Sequence, residues 1–327
     1  MGIIQSGLST NDCAAKTLYV LGSIFLFSAL LIWWRPIFRK GVADAKLQSR
    51  FLGFAMIALF VFIPCYLGGF TFVACIAAMV LECLLEFYRI LNLEGMGAYK
   101  KLALVLGVLL VGTAAFASAP LGYLVPGLAA SAKEGLPSLF YVMPAGVVAA
   151  VFALPLFSGK PEGALVRSCV TIFSVIYIAW FLGHMILLRN LPNGFGYFVF
   201  FAMCVAMNDI FAYLFGKFFG KNQMIPGISP AKTWEGFIGG ICGSLLAALV
   251  FFYSVSKIEI LNALVLALLI SITAPLGDLV ISMIKRDMKV KDCGTILPGH
   301  GGLLDRVDSA ILTSPVIYYY LLFSGNG

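Results

Sequence analysis

Two stretches of this chain gather residues of the kind that handle phosphate and metal ions. The first runs from Gly277 to Ser309 and contains Asp278, Ser282, Lys285, Arg286, Asp305, Arg306 and Asp308. Asp278, Ser282 and Lys285 are spaced four and then three residues apart, so a helix presents them on one face. Asp305 and Asp308, three apart, share a face of the next helix. Between them lies Pro298-Gly299-His300-Gly301-Gly302, whose glycines let the backbone turn sharply and expose N–H groups. Carboxylates beside cations suit a divalent ion holding a polyphosphate. Mg²⁺ takes one or two carboxylates and completes its shell with phosphate oxygens and water. Lys and Arg then neutralise the remaining charge. A purely structural ion-pair cluster of Asp278, Asp305, Lys285 and Arg306 would need neither the glycine-rich turn nor His300 at its centre.

The second stretch runs from Asn208 to Gly240. Asp209 sits within an apolar run, and Tyr213 follows one turn later on the same face. Ser229, Pro230, Lys232, Thr233 and Glu235 come next. Ser229 and Thr233 precede an apolar run, as helix N-caps do. A helix N-terminus is a ready phosphate site, and Lys232 adds charge. A plain cap beside an orientation-setting lysine explains the same residues. The two stretches are expected to form one site, since the two helices between them can return the chain to the same face.

The elements that must position these residues are membrane helices. Of the 327 residues, 61% are hydrophobic and 11% charged, where a soluble domain carries about 25% charge. Apolar runs of the ~20 residues needed to cross a bilayer recur along the chain. The fold class is therefore all-α, a polytopic integral membrane protein with about ten helices. Their cores lie near 17–34, 51–68, 70–88, 102–119, 138–157, 168–188, 194–216, 236–255, 260–284 and 303–323. The count falls to nine if the second and third are one stretch, divided only by Pro64 and Gly68-Gly69. The first sixteen residues lack the order of a signal peptide, so the first run reads as a retained helix. None of the eight cysteines forms a C-x-x-C pair, which points to neither a disulfide framework nor a zinc site.

With the N-terminus outside, the cytoplasmic segments collect 18 of the 22 Lys and Arg. Only Lys16, Lys133, Arg189 and Lys257 fall on the other side, the asymmetry that sets orientation. Both chemical stretches then face the cytoplasm. A transporter would place its polar site near the midplane between repeats. Here the charges sit at helix ends in the last third, which favours an enzyme. His184 reads as a hydrogen-bonded packing residue. Glu82 and Glu86, four apart in the third helix, read either as an interhelical pairing or as a reach into the cytoplasmic cleft. No nucleic-acid partner is expected.

Residues 282–308 read S-M-I-K-R, four residues, K-D-C-G, T-I-L-P-G-H-G-G, L-L-D-R-V-D. This resembles the signature of the phosphatidate cytidylyltransferase (CDP-diacylglycerol synthase) family. The upstream D-x-x-A-Y, F-G-K and I-S-P-x-K-T-W-E-G-F-x-G-G segments resemble it too. The resemblance covers roughly 195–327, which divides the chain into N-terminal transmembrane helices (1–190), poorly matched, and a C-terminal catalytic region (191–327). It implies a reaction of CTP with phosphatidate giving CDP-diacylglycerol and pyrophosphate, with Mg²⁺ as cofactor and room for a second metal ion. Residues matching Asp278 and Asp305 bind the metal centre, with Asp308 close by; those matching Ser282, Lys285 and Arg286 line the phosphate site. The residue pattern adds Asp209 to the carboxylates, and Lys232, Ser229, Thr233, Arg306 and His300 to the phosphate contacts. Lys285, Arg286, Asp305 and Asp278 form the catalytic set. Partners are CTP, phosphatidate, membrane lipids and, in a homodimer, a second copy. The setting is an integral protein of the bacterial inner membrane with its active site toward the cytoplasm. Many bacterial members carry a small or hydroxyl residue after the aspartate matching Asp209, whereas this chain reads Asn208-Asp209-Ile210-Phe211. The lipid acceptor thus stays open between phosphatidate and another lipid phosphate or a lipid alcohol.

Overall fold

The structure is a computed structural model, and it describes residues 61–93, 98–118, 130–159, 161–255, 259–294 and 301–325. The expected first helix lies outside these residues. Of the second, residues 61–67 are described and helical. The remaining eight expected helices are present. They are α1 (Gly69–Leu93), α2 (Lys100–Ser118), α3 (Ala130–Ser158), a long composite helix, α6 (Gly194–Phe219), α7 (Trp234–Val255), α8 (Ile260–Asp287) and α9 (Leu304–Phe323). The composite consists of α4 (Ala164–Ser174), a π-helical segment (Val175–Trp180) and α5 (Phe181–Asn190). Seven described helices are long and apolar enough to cross a membrane. The last helix is not among the seven; its first turns carry Asp305, Arg306 and Asp308. The protein is a polytopic, nearly all-helical membrane protein.

One element departs from the sequence expectation. The segment after α6, expected as an irregular loop, holds an antiparallel hairpin of β1 (Gln223–Ile225) and β2 (Ser229–Thr233). The strands are too short and exposed to leave an apolar alternation in the sequence.

Helices α6, α7 and α8 form the frame of the site. One face of α7 carries Gly236, Gly239, Gly240 and Gly243, at helical spacing. A Cβ on these glycines would run into Ala212, Phe215, Asn208 and Met207 of α6, respectively. Small residues let membrane helices approach to backbone contact where no hydrophobic force between them is available. Pro275 lies inside α8. It has no N–H, so it leaves the carbonyl of Ser271 without its intrahelical donor. The buried Asn208 supplies one, donating from Nδ2 to Ser271 O at 3.3 Å and also to Ser244 Oγ at 3.3 Å. One side chain thereby ties α6, α7 and the weakened turn of α8 together. At Pro315 in α9, Ser314 Oγ donates to Ile311 O and to Phe181 O of α5.

On the far side of the core, His184 is fully buried among Phe140, Trp180 and Tyr319. Its Nδ1 donates to Trp180 O at 2.9 Å, and Nε2 accepts from the Tyr319 hydroxyl at 3.2 Å. It is a satisfied packing residue, as its place in an apolar helix suggested.

Candidate functional site

Asp278 lies three residues beyond Pro275 on α8, at the end of the helix where the hairpin folds over. Its Oδ2 pairs with Lys232 Nζ of β2 at 2.7 Å, and its Oδ1 accepts from Ser282 Oγ at 3.2 Å. Lys232 also donates to Pro275 O at 3.1 Å. The two stretches of sequence, about fifty residues apart, thus meet in space. Asp308 of α9 comes within hydrogen-bonding reach of Asp278. Gly277 permits this approach, because a Cβ there would meet the backbone carbonyl of Asp308. Asp209 lies close enough to Asp278 and Lys232 to feel both charges. Asp209, Lys232 and Asp278 border a cavity of about 210 Å³ whose lining also includes Tyr213, Thr233 and Ser309, the residue after Asp308.

Thr233 serves as the expected N-cap of α7: its Oγ1 accepts the Gly236 N–H at 3.1 Å. Ser229 does not cap that helix, since it lies in β2, paired with Ile225. Glu235 holds the hairpin's base by accepting from the Asn222 side chain at 2.8 Å and from the backbone N–H groups of Lys221 and Asn222. Arg286, exposed, donates from Nε to Ile228 O at the hairpin turn, 3.2 Å away. Arg306 is exposed on α9. His300 lies outside the described residues, as do Pro298 and Gly299.

Asp305 occupies a second, neighbouring arrangement. Its Oδ1 accepts from Lys285 Nζ at 2.7 Å, and its Oδ2 from the N–H groups of Cys293 (2.8 Å) and Gly302 (3.1 Å). Both carboxylate oxygens are therefore engaged by the chain itself. Lys285 is near enough to Asp308 and Asp278 for its charge to act on them. It stands between the Asp305 group and the cavity group. Cys293, buried in this loop, has its thiol pushed up in pKa by desolvation.

Two further residues belong to the site's scaffold. Asn208 carried a signal in the sequence, a polar residue beside Asp209 in an apolar helix, but its partner depended on Pro275. Glu86, whose role stayed open between two readings, is fully buried. It takes the interhelical reading, with backbone groups as partners: its oxygens accept the N–H groups of Leu303 (3.0 Å) and Leu304 (2.8 Å) at the start of α9.

Among the described residues, no group of three or more His, Cys, Asp or Glu is disposed to enclose a metal ion. The facing carboxylates of Asp278 and Asp308, with Asp209 on the same cavity, nevertheless fit Mg²⁺. Mg²⁺ needs only one or two carboxylates when phosphate and water supply the rest.

Fold and site together define a polytopic membrane protein with a carboxylate–cation cavity suited to polyphosphate chemistry. Comparison with known proteins makes the class specific. Residues 48–324 match the cytidylyltransferase family, and the chain belongs to that family; it is a nucleotidyltransferase. The match takes in most of the N-terminal helices as well as the C-terminal signature. A phosphatidate cytidylyltransferase of Staphylococcus saprophyticus is 33% identical over 274 residues, 82% of this chain and 96% of that protein. One of Staphylococcus aureus (strain COL) is 39% identical over 166 residues, 50% of this chain and 63% of its own length. The uncharacterized protein YnbB of Escherichia coli (strain K12) is 42% identical over 154 residues, about half of each chain.

Proposed function

We propose that this enzyme transfers the cytidylyl group of CTP to phosphatidate, forming CDP-diacylglycerol and releasing pyrophosphate at the cytoplasmic face. The observation that carries the reading is the meeting of Lys232 and Asp278 on one cavity, with Asp308 and Asp209 beside them. The names of the Staphylococcus relatives support phosphatidate as acceptor, and the distribution of basic residues supports the orientation.

The lipid phosphate is already an anionic nucleophile, so the site needs no strong base. Its task is to bring two polyanions together. Repulsion between unit charges 4 Å apart is about 4 kcal/mol at an effective dielectric of ~20. Asp278 and Asp308 would hold Mg²⁺, with Asp209 nearby on the cavity; bound there, the ion would neutralise charge on the triphosphate. Lys232 turns from Asp278 toward the phosphates. Lys285, held by Asp305, keeps a positive charge beside the carboxylate pair. The α7 N-terminus, capped by Thr233, directs N–H groups toward the same region. Arg286 and Arg306 meet anionic groups at the exposed rim. Positioning does much of the remaining work, as in phosphoryl transfer generally.

The test is CTP-dependent pyrophosphate release by purified protein in detergent with Mg²⁺, with and without phosphatidate, and identification of the lipid product by mass. Release that requires phosphatidate, together with CDP-diacylglycerol as product, supports the reading. Turnover with another lipid phosphate or a lipid alcohol but not with phosphatidate removes it.

A further inference from the structure

The geometry points to Glu86 as a positioning residue that holds the start of α9, and with it Asp305 and Asp308, in working register. The inference concerns the site of the proposed reaction and takes from that reading only its location.

Glu86 belongs to α1, more than two hundred residues before the groups it touches. A helix begins with backbone N–H groups that have no partner within the helix. At α9 Glu86 does part of this work, while Asp305 ties down the residues that lead into the helix. Glu86 accepts the N–H groups of Leu303 and Leu304, and Asp305 accepts those of Gly302 and Cys293. Glu86 is thus an anchor, from another helix, for the described residues 302–304, which Asp305 also holds through Gly302. Gly302 and Gly294 both pack against the Glu86 carboxylate, and neither site has room for a Cβ. Two points of one loop are therefore shaped around one buried acid.

The consequence reaches the cavity. Asp308 lies one turn into α9, where its carboxyl group faces Asp278. A shift or rotation at the start of α9 would move Asp308 away from Asp278 and Asp305 away from Lys285. Glu86 is not among the residues that line the cavity, and its hydrogen bonds go to backbone N–H groups, so its influence acts through backbone position. Misplacement by about 1 Å costs on the order of a hundredfold in rate.

Glu86→Gln is the sharpest change. It keeps shape, but a carboxamide offers one oxygen and one NH₂, so one of the two backbone N–H groups must face another donor. The experiment uses full-length protein purified in detergent and has two readouts. The first is kcat and KM for CTP. The second is the rate at which a hydrophilic maleimide labels Cys293, measured by mass spectrometry of its peptide and normalised to an SDS-denatured sample. Cys293 is 2% exposed and its N–H is held by Asp305, so it reports whether Asp305 and the start of α9 keep their place, whatever the substrate proves to be. The expected result for monodisperse Glu86→Gln is a ten- to hundredfold lower kcat, a much smaller change in KM, and faster Cys293 labelling. Should Glu86→Gln fail to fold, Gly302→Ala displaces the intact carboxylate and is expected to give the same pair of changes. Wild-type kcat, or lowered kcat with Cys293 as protected as in the wild type, overturns the inference in either variant. If the wild type does not turn over CTP and phosphatidate, the proposed reaction fails, while Cys293 labelling still decides the role of Glu86.

Discussion

The molecule contains two lysine–aspartate pairs of identical length in very different surroundings. Lys232–Asp278 and Lys285–Asp305 both measure 2.7 Å. The first borders the cavity, with its side chains 23% and 34% exposed; the second is closed, at 14% and 9%. Asp305 spends its second oxygen on two backbone N–H groups. Asp278 has only the Ser282 hydroxyl and the neighbouring Asp308. A pair that is desolvated and fully hydrogen-bonded is built to stay made. A pair open to a cavity, facing another carboxylate, can exchange its partner for a ligand. We propose from this contrast that Asp305 is architectural and Asp278 chemical, although the sequence pattern presents them as equivalents.

The largest expected effect tests the closed pair. Asp305→Asn leaves the part-buried Lys285 without its paired carboxylate, a loss of up to about 3–5 kcal/mol, the value for a fully buried pair. The variant should show a clearly lowered melting temperature in detergent at fixed scan rate, along with lost activity. A folded Asp305→Asn with wild-type melting but no turnover would instead make Asp305 a direct ligand of the reacting groups, and the contrast between the pairs would disappear.

Asp278→Asn is the counterpart. Turnover should fall about 10²–10³-fold, the scale for removing one group that stabilises developing charge. Melting should move by less than about 1 kcal/mol, because Lys232 can reach water and repulsion with Asp308 is relieved. Near-normal turnover at saturating Mg²⁺ would take Asp278 out of the active site.

The contrast also shows what the sequence could reveal. Helical spacing put Asp278, Ser282 and Lys285 on one face, and the apolar runs located all eight described long helices, although α3 begins eight residues before its expected start. Spacing could not distinguish the partners of Asp278 from those of Asp305, because Asp305 is bound by backbone N–H groups of a loop. Backbone groups carry no residue signature. The partner of Asn208 was equally illegible: it is a carbonyl left free by Pro275 on another helix. The hairpin escaped because three residues of β1 are too few to show a period of two. The glycine spacing of α7 was present in the sequence but acquires its meaning only from the bulky α6 residues opposite.

Lys232→Ala should reduce kcat/KM for CTP ten- to a hundredfold, the cost of one charge-assisted hydrogen bond at about 1.5–3 kcal/mol. Lys232→Arg should recover only part, since a planar fork does not replace a point charge. Unchanged kcat/KM with lower membrane yield would make Lys232 an orientation residue. The open pair would then have no chemical role on its cationic side.

The smallest effect is the most discriminating, because Thr233 sits where capping and phosphate binding overlap. Its Oγ1 accepts the Gly236 N–H, while the hydroxyl proton remains free to be donated. The two roles therefore coexist on one atom and predict different losses. Removing a cap costs about 1 kcal/mol of stability, and only a small share should pass to kcat/KM through the neighbouring Lys232. Losing a hydroxyl that donates to a phosphate costs about 1.5–3 kcal/mol in the transition state and leaves melting almost unchanged. Thr233→Ser keeps both functions and should behave as wild type. For Thr233→Ala the cap alone predicts a melting decrease equivalent to about 1 kcal/mol and a fall in kcat/KM of less than about fivefold. A drop beyond tenfold without a change in melting would show that Thr233 belongs with Lys232 on the phosphate. The reactive edge of the cavity would then extend from the open ion pair to the first turn of α7.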